Sequence, residues 1–402
     1  MRVKRETRPF VIWLAALALW PGTGGAVGFR LPNQDPEAIA RGNAFVATAD
    51  NPSAIYYNPA GITQLEGQNL SAGIYLLSPG VKYDSPTGAH ASVNSDLDPV
   101  PQVYYVISPR DFPLSFGLGI YAPYGLSLDW GQNSPLRTVV QKADLVYLSF
   151  NPVVAWKIHP RLSIAVGPTI NYSQASLERG IGILPNDQFK LDGDGLAYGF
   201  NAGLLWQPHQ MWVLGVNYRS ATTVDYQGTA KTLPSPPLPS QQSSSASIHF
   251  PQFVVGGVSF RPTEKWNIEF DLDWADWDSV KQIGIQHTGF GNVVLPLNYQ
   301  SSFMYEVGAT RTLPKGYFVS AGYFFSENSS PDRNFTPLIP DSDLHLGSLG
   351  FGHKGKRWDW ALAYQFGYNP SRQVANDQTY PLANGTYHFL NHAFNLSATL
   401  KF

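Results

Sequence analysis

Asp271, Asp273, Asp276 and Asp278 form a cluster of carboxylates of the kind that binds calcium. However, the first two alternate with apolar neighbours, which is typical of a strand with one polar face. The nine histidines show no His-Glu-x-x-His spacing, and no Gly-x-Ser-x-Gly nucleophile motif is present. We therefore expect a protein that is not an enzyme and that uses no metal or other cofactor.

The amino-acid composition indicates the class of fold in which these residues are placed. Only 14% of the residues are charged, well below the quarter found in ordinary soluble domains, and 14% are aromatic. Beyond the N-terminus there is no apolar run of about 18 residues, which argues against a helical membrane protein. A transmembrane β-barrel reconciles these facts, because its strands alternate lipid-facing and lumen-facing residues. The formal net charge of −2 argues against a nucleic-acid partner.

The two ends of the chain indicate where it resides. Four basic residues precede an apolar stretch at 10–20 and the small residues Gly24, Gly25 and Ala26, so residues 1–26 are predicted to be a secretory signal peptide. The last ten residues alternate apolar and polar side chains and end at Phe402, a pattern typical of the final strand of a bacterial outer-membrane barrel. We expect an outer-membrane location, with lipopolysaccharide, outer-membrane lipid and the barrel assembly machinery as partners.

Alternating segments bounded by turn residues predict fourteen strands within residues 68–402. Six short turns alternate strictly with seven long loops, as expected when both termini are periplasmic. Trp274 and Trp277 are expected in an aromatic girdle at the membrane interface. The long loops are predicted at 78–99, 129–142, 179–190, 227–245, 282–299, 328–340 and 370–385.

Residues 27–67 do not alternate and are rich in small residues and helix breakers. A segment of this length and moderate hydrophobicity ahead of the first strand is predicted to fold into the lumen as a hatch, since a solvated arm would carry more charge. The third strand contains Pro123 and Gly125, which weaken a sheet ladder. We expect that strand to be interrupted, either as a functional kink or as a simple bulge near a loop.

Several short motifs resemble, in order along the chain, those of the FadL family of outer-membrane transporters for long-chain fatty acids and related hydrophobic compounds. They include Gly28-Phe29-Arg30-Leu31, Asn58-Pro59-Ala60, Tyr124-Gly125-Leu126, Leu177-Glu178-Arg179, Gly199-Phe200-Asn201-Ala202-Gly203, Asn217-Tyr218-Arg219-Ser220, Phe250-Pro251 and Ile339-Pro340-Asp341.

This resemblance implies a fourteen-stranded barrel closed by an N-terminal hatch, with the ligand leaving sideways through a gap at the kinked third strand. It implies that Asn58, Pro59 and Ala60 lie against the kink from inside. Gly203, on the sixth strand, is expected beside the gap, together with Pro123 and Gly125.

For the ligand itself, the resemblance implies that Arg179 binds the head group and that Phe29 closes the inner end of the pocket. The alternative for Arg179 is a loop arginine paired with Glu178. A second basic ligand of the family falls near Leu297 and Asn298, where this chain has no charge. The cargo is therefore expected to be a long-chain fatty acid, with a neutral aromatic or aliphatic hydrocarbon as the alternative. A general porin and an adhesin role for the outer loops remain further possibilities, and the protein is expected to be a monomer.

Overall fold

Fourteen antiparallel strands close into a barrel in the computed structural model, which describes residues 28–94, 97–234, 241–287 and 291–402. The predicted signal peptide, residues 1–26, lies outside the described residues. The strands are β1 (Gly67–Asp84), β2 (Asp98–Ser108), β3 (Leu114–Asp129), β4 (Lys142–His159), β5 (Leu162–Arg179), β6 (Gln188–His209), β7 (Trp212–Arg219 and Thr222–Leu233), β8 (Gln241–Phe250 and Phe253–Thr263), β9 (Trp266–Ala275 and Gln282–His287), β10 (Gly291–Pro296 and Ser302–Thr312), β11 (Tyr317–Ser326), β12 (Leu344–Lys354), β13 (Trp358–Val374) and β14 (Gly385–Lys401). Residues 69–84 of β1 pair with residues 386–401 of β14 and so close the wall.

Side-chain alternation explains why these segments form a membrane barrel. On β5, Ile164, Val166 and Ile170 are exposed on the outside, whereas Ser163 and Asn171 are buried. The same pattern runs through β14 and confirms the alternation expected at the C-terminus. Exposed apolar residues on every second position make the outer surface compatible with lipid.

Several of the predicted long loops are shorter than expected, because strand structure continues into them. Residues 227–233 and 241–245 extend β7 and β8, and residues 282–287 pair with 291–296. The extensions of β7 and β8 are rich in Ser, Thr and Gln, so they lack the apolar alternation by which a strand is recognised. In the paired segments 282–287 and 291–296, by contrast, Ile283 and Ile285 are buried in the apolar core, and Val293 and Leu295 pack against it.

β9 also breaks between its two halves, where a 3-10 turn at Trp277–Ser279 carries Trp277 into the interior. Trp277 is fully buried, so its expected place in an interfacial girdle is wrong.

Residues 28–66 precede β1 and contain three short helical turns: α1 (Pro36–Ile39), α2 (Ala54–Tyr57) and a 3-10 helix (Pro59–Gln64). Asp35 caps α1 by accepting a hydrogen bond from the Glu37 N–H, and Pro36 occupies the first helical position, where its missing N–H costs nothing. Asn58 caps the 3-10 helix in the same way. Among the described residues, no helix is long and apolar enough to span a membrane. We call residues 28–66 the N-terminal segment.

Candidate functional site

The third strand leaves its neighbour and turns toward the N-terminal segment. The ladder between β2 and β3 runs only to the pair Val103–Ile120, and the pairing of β3 with β4 shifts register between Tyr121 and Tyr124. Pro123 has no N–H to donate to a ladder. Its carbonyl instead accepts a hydrogen bond from the Leu31 N–H at 2.8 Å. The interruption of β3 is therefore stabilised by the start of the N-terminal segment.

Gly125 lies at the same interruption and donates its N–H to the Phe29 carbonyl at 2.9 Å. The carbonyl of Ala122 accepts a hydrogen bond from Gln34 Nε2 at 2.7 Å. Pro123 and Gly125, both expected at a kink, thus lie where residues 29–34 replace β2 as the partner of β3.

Three carboxylates on β9 anchor the N-terminal segment. Asp273 accepts one hydrogen bond from each terminal nitrogen of the Arg30 guanidinium, at 2.9 and 2.6 Å. Glu269 forms an ion pair with Arg41 at 2.9 Å, and Asp271 accepts backbone N–H groups of residues 45 and 46. Asp271 and Asp273 thus face the interior, as their alternation predicts. Breaking such a buried pair by removing one partner costs about 3–5 kcal/mol, because the other charge is left uncompensated.

The other end of the N-terminal segment is held against β6. Asn58 Nδ2 donates to the carbonyls of Val46 and Leu204, at 2.7 and 2.9 Å. A Cβ added at Gly203 would lie 2.3 Å from Asn58 Oδ1 and 2.8 Å from Pro59 Cδ, so only glycine fits there. Ala60 is fully buried beside them.

The structure therefore brings Asn58, Pro59, Ala60 and Gly203 together. Within the sheet, Gly203 pairs with Ala165 of β5 and Asn217 of β7, and its place beside a gap at β3 stays a prediction.

An apolar cavity of about 80 Å³ lies next to Phe29, and a smaller cavity of about 20 Å³ lies beside the first one. Both are lined by Leu177, Ile285, Leu295 and Leu338. Phe29 lines only the first and Arg179 only the second. Phe29 and Arg179, 150 residues apart in the sequence, thus line two neighbouring cavities that share an apolar wall, and we call the two cavities together the apolar run.

The Arg179 guanidinium stacks 5.6 Å from the centre of the Phe189 ring. It is not paired with Glu178, since that carboxylate accepts a hydrogen bond from Lys190 at 2.8 Å. No ion pair to Arg179 is formed by the part of the chain that the structure describes. Tyr380 lines the same small cavity, where burial raises the pKa of its hydroxyl and the Arg179 charge opposes that rise. Arg179 therefore presents an unneutralised charge to the cavity.

The positions near 297 and 298 supply no second cation. Leu297 is buried in the apolar core, and the Asn298 side chain donates to Asn334 at 3.0 Å.

An aromatic layer forms the floor of the cavity, and sequence reasoning found only part of it. Phe29 packs against Trp277 at 5.0 Å, Phe250 at 5.4 Å and Tyr124 at 6.0 Å between ring centres. Tyr147 closes the layer by packing 4.5 Å from Phe250. The sequence does contain a signal that Trp277 belongs to this layer. Asp276 interrupts the apolar alternation just before Trp277, which indicates that β9 breaks there.

Residues 18–402 match the family described as "Outer membrane protein transport protein (OMPP1/FadL/TodX)". The long-chain fatty acid transport protein of Salmonella typhi is 22% identical over 395 residues, which cover 88% of this chain and 90% of that protein. Among solved structures, a Pseudomonas aeruginosa FadL homologue has a TM-score of 0.82 at 18% identity, covering 93% of this chain and 100% of the other. The Pseudomonas putida toluene transporter TodX has a TM-score of 0.75 at 17% identity, covering 93% and 99%.

Proposed function

The chain belongs to the OMPP1/FadL/TodX family of outer-membrane transport proteins, and we propose that it takes up long-chain fatty acids by passive transport across the outer membrane. The observation that carries this proposal is the apolar run, with the cation Arg179 lining one cavity and Phe29 of the aromatic floor lining the other. The relatives named for fatty acid transport support the choice of cargo.

The energetics suit such a ligand. Burying one methylene group is worth about 0.8 kcal/mol, so a sixteen-carbon tail gains roughly 12 kcal/mol before entropic costs. A charge-assisted hydrogen bond from Arg179 to the carboxylate adds about 1.5–3 kcal/mol. The tail thus supplies most of the affinity, whereas Arg179 supplies orientation and a preference for acids.

The cavity of about 80 Å³ is much smaller than the roughly 300 Å³ of an ordinary ligand pocket. We propose that the N-terminal segment acts as the hatch and that Phe29 moves to lengthen the pocket. The ligand then leaves sideways where β3 departs from β2, and enters the bilayer. The break in the ladder after Ile120 supports this exit.

A neutral aromatic or aliphatic hydrocarbon is the second candidate cargo. The uncharged pair Leu297 and Asn298 favours it, because among the described residues that line the two cavities Arg179 is the single cation that could recognise an acid. The fold shared with the toluene transporter TodX is compatible with this alternative.

A binding titration separates the two candidates. Tryptophan fluorescence of the detergent-folded protein, which has 11 Trp, is followed while palmitic acid or hexadecane is added. We expect Arg179→Ala to weaken palmitate binding about tenfold and to leave hexadecane unchanged. Arg110→Ala, which removes an exposed arginine paired with Glu66 at a short turn, is the matched control. Equal binding of both probes, unaffected by Arg179→Ala, would favour the hydrocarbon.

A further inference from the structure

A second arginine, Arg219 at the end of the first half of β7, is buried without a carboxylate partner. It is 5% exposed, and its Nη2 donates to the Tyr121 hydroxyl at 2.7 Å. Its guanidinium lies 5.2 Å from the ring centres of Tyr56 and Tyr121 and 5.8 Å from that of Phe253. Within the described residues it forms no ion pair, and its Nε has no hydrogen-bond partner.

An unpaired buried charge is unusual, because taking an ion out of water costs several kcal/mol unless an opposite charge compensates it. Arginine cannot escape this cost by losing its proton. Arg30, which also stacks on Phe253, shows the ordinary solution, since it is paired with Asp273. Arg219 therefore carries an uncompensated positive charge in the interior.

The register of three strands places Arg219 directly beyond the aromatic floor of the apolar cavity. Along β8, β3 and β4 the same three layers follow one another: a cavity-lining aliphatic residue, then an aromatic residue of the floor, then a residue in or next to the contacts of Arg219. In that order the residues are Ile248, Phe250 and Phe253 on β8; Leu126, Tyr124 and Tyr121 on β3; and Leu145, Tyr147 and Asn151 on β4.

Arg219 also lies next to the point where β3 separates from β2 in the barrel wall. Tyr121, which accepts its hydrogen bond, is the last residue of β3 before the register shift. Tyr121 in turn donates to Asn151 of β4 at 2.7 Å. The β2–β3 ladder ends one residue earlier, at Ile120. A group that passed the aromatic floor would meet Arg219 next to the place where β3 leaves β2.

We infer that Arg219 is an inner binding site for the carboxylate of the cargo, reached from Arg179 when Phe29 moves, and that the transported molecules are therefore acids. The inference rests on the proposed uptake function and names its substrate class. The planar guanidinium matches a carboxylate, and the surrounding rings exclude water, which strengthens the interaction. A neutral hydrocarbon gains nothing from such a charge.

Paired uptake measurements test the inference in cells that lack their own fatty acid transporter and express the full chain. The probes are radiolabelled palmitate and hexadecanol, which share a tail and differ in the charge of the head group. We expect Arg219→Met to slow palmitate uptake about tenfold or more and to change hexadecanol uptake less than twofold. Arg219→Lys should keep most of the preference for palmitate, and palmitate binding to purified Arg219→Met should keep its dependence on Arg179.

The controls separate a binding role from a structural one. Tyr121→Phe removes the hydrogen bond to Arg219 but keeps the charge, so it should retain the palmitate preference. Heat-modifiable migration in electrophoresis reports whether each barrel is folded. Equal slowing of both probes in folded Arg219→Met, or no slowing of either, would show that the inference is wrong while uptake stands. If the wild type takes up neither probe, the proposed function and the inference fail together.

Discussion

Replacing Asp273 by leucine tests the ion pair that holds the start of the N-terminal segment. Both side chains of the Arg30–Asp273 pair are almost fully buried. Removing one partner of such a pair costs about 3–5 kcal/mol, whereas replacing both by apolar residues is neutral or stabilising. Arg30 lies only 3.7 Å from the Phe253 ring centre, and this cation–π contact survives the change. We therefore expect a net cost of about 2–3 kcal/mol, which raises the population of the released segment about 30- to 140-fold.

The chain has no cysteine, so Leu31→Cys provides a single reporter thiol. Leu31 is buried, and its backbone N–H donates a hydrogen bond to the Pro123 carbonyl. Its maleimide labelling rate follows the released population when closing is faster than labelling. In the Leu31→Cys background, Asp273→Leu should label about 30- to 140-fold faster, and Arg30→Met with Asp273→Leu should return to within tenfold of the parent. Labelling of Asp273→Leu at the parent rate would show that the pair does not hold the segment. Equally fast labelling of the double variant would show that uncompensated charge is not the cause.

Two further changes follow from contacts in the structure. Gly203→Ala places a methyl group 2.3 Å from Asn58 Oδ1, so we expect a loss of about 1–3 kcal/mol in thermal unfolding, whereas Gly256→Ala, whose Cβ meets nothing within 4 Å, should change little. At Asp187, burial opposes ionisation, but backbone N–H donors from residues 181–184 lower the pKa to about 2, below its ordinary value of 3.8. Its contribution to order in the loop at 180–187 is thus present above about pH 4 and lost as the pH falls toward 2. The protection factors of residues 181–184 in hydrogen exchange, which correct for the intrinsic pH dependence of amide exchange, should fall in that window in the wild type but not in Asp187→Asn, and a pH-independent protection factor in the wild type would contradict this.

The barrel could be predicted from sequence because one physical rule governs almost every strand. Lipid on one face and polar interior on the other impose period-two alternation, and Ile164, Val166 and Ile170 show it as clearly as the C-terminal strand does. The apolar alternation is lost at residues 241–247, which are mainly Ser and Gln. They nevertheless form a strand, because pairing with residues 225–231 satisfies their backbone hydrogen bonds.

The candidate site was less predictable, because it depends on contacts between distant parts of the chain. Arg30 and Asp273 are 243 residues apart, and no periodicity relates them. Trp277 enters the lumen because β9 breaks beside it, which reverses the expectation for an interfacial tryptophan. Arg179 is left without an ion-pair partner because Glu178 pairs with Lys190 on the neighbouring strand, a contact that follows from register rather than from adjacency.

The floor of the cavity and the anchor of the N-terminal segment are formed by consecutive residues, and this couples them. Phe29 closes the apolar run, and Arg30 is bound to Asp273. Because the backbone joins them, Phe29 cannot move far unless the Arg30 contacts loosen, so the free energy of opening includes part of that ion pair. A fatty acid tail gains roughly 12 kcal/mol on burial, which is ample to offset about 2–3 kcal/mol. A small aromatic hydrocarbon buries far less surface. Under the proposed mechanism, the same ion pair that closes the barrel therefore favours long-tailed ligands over short ones.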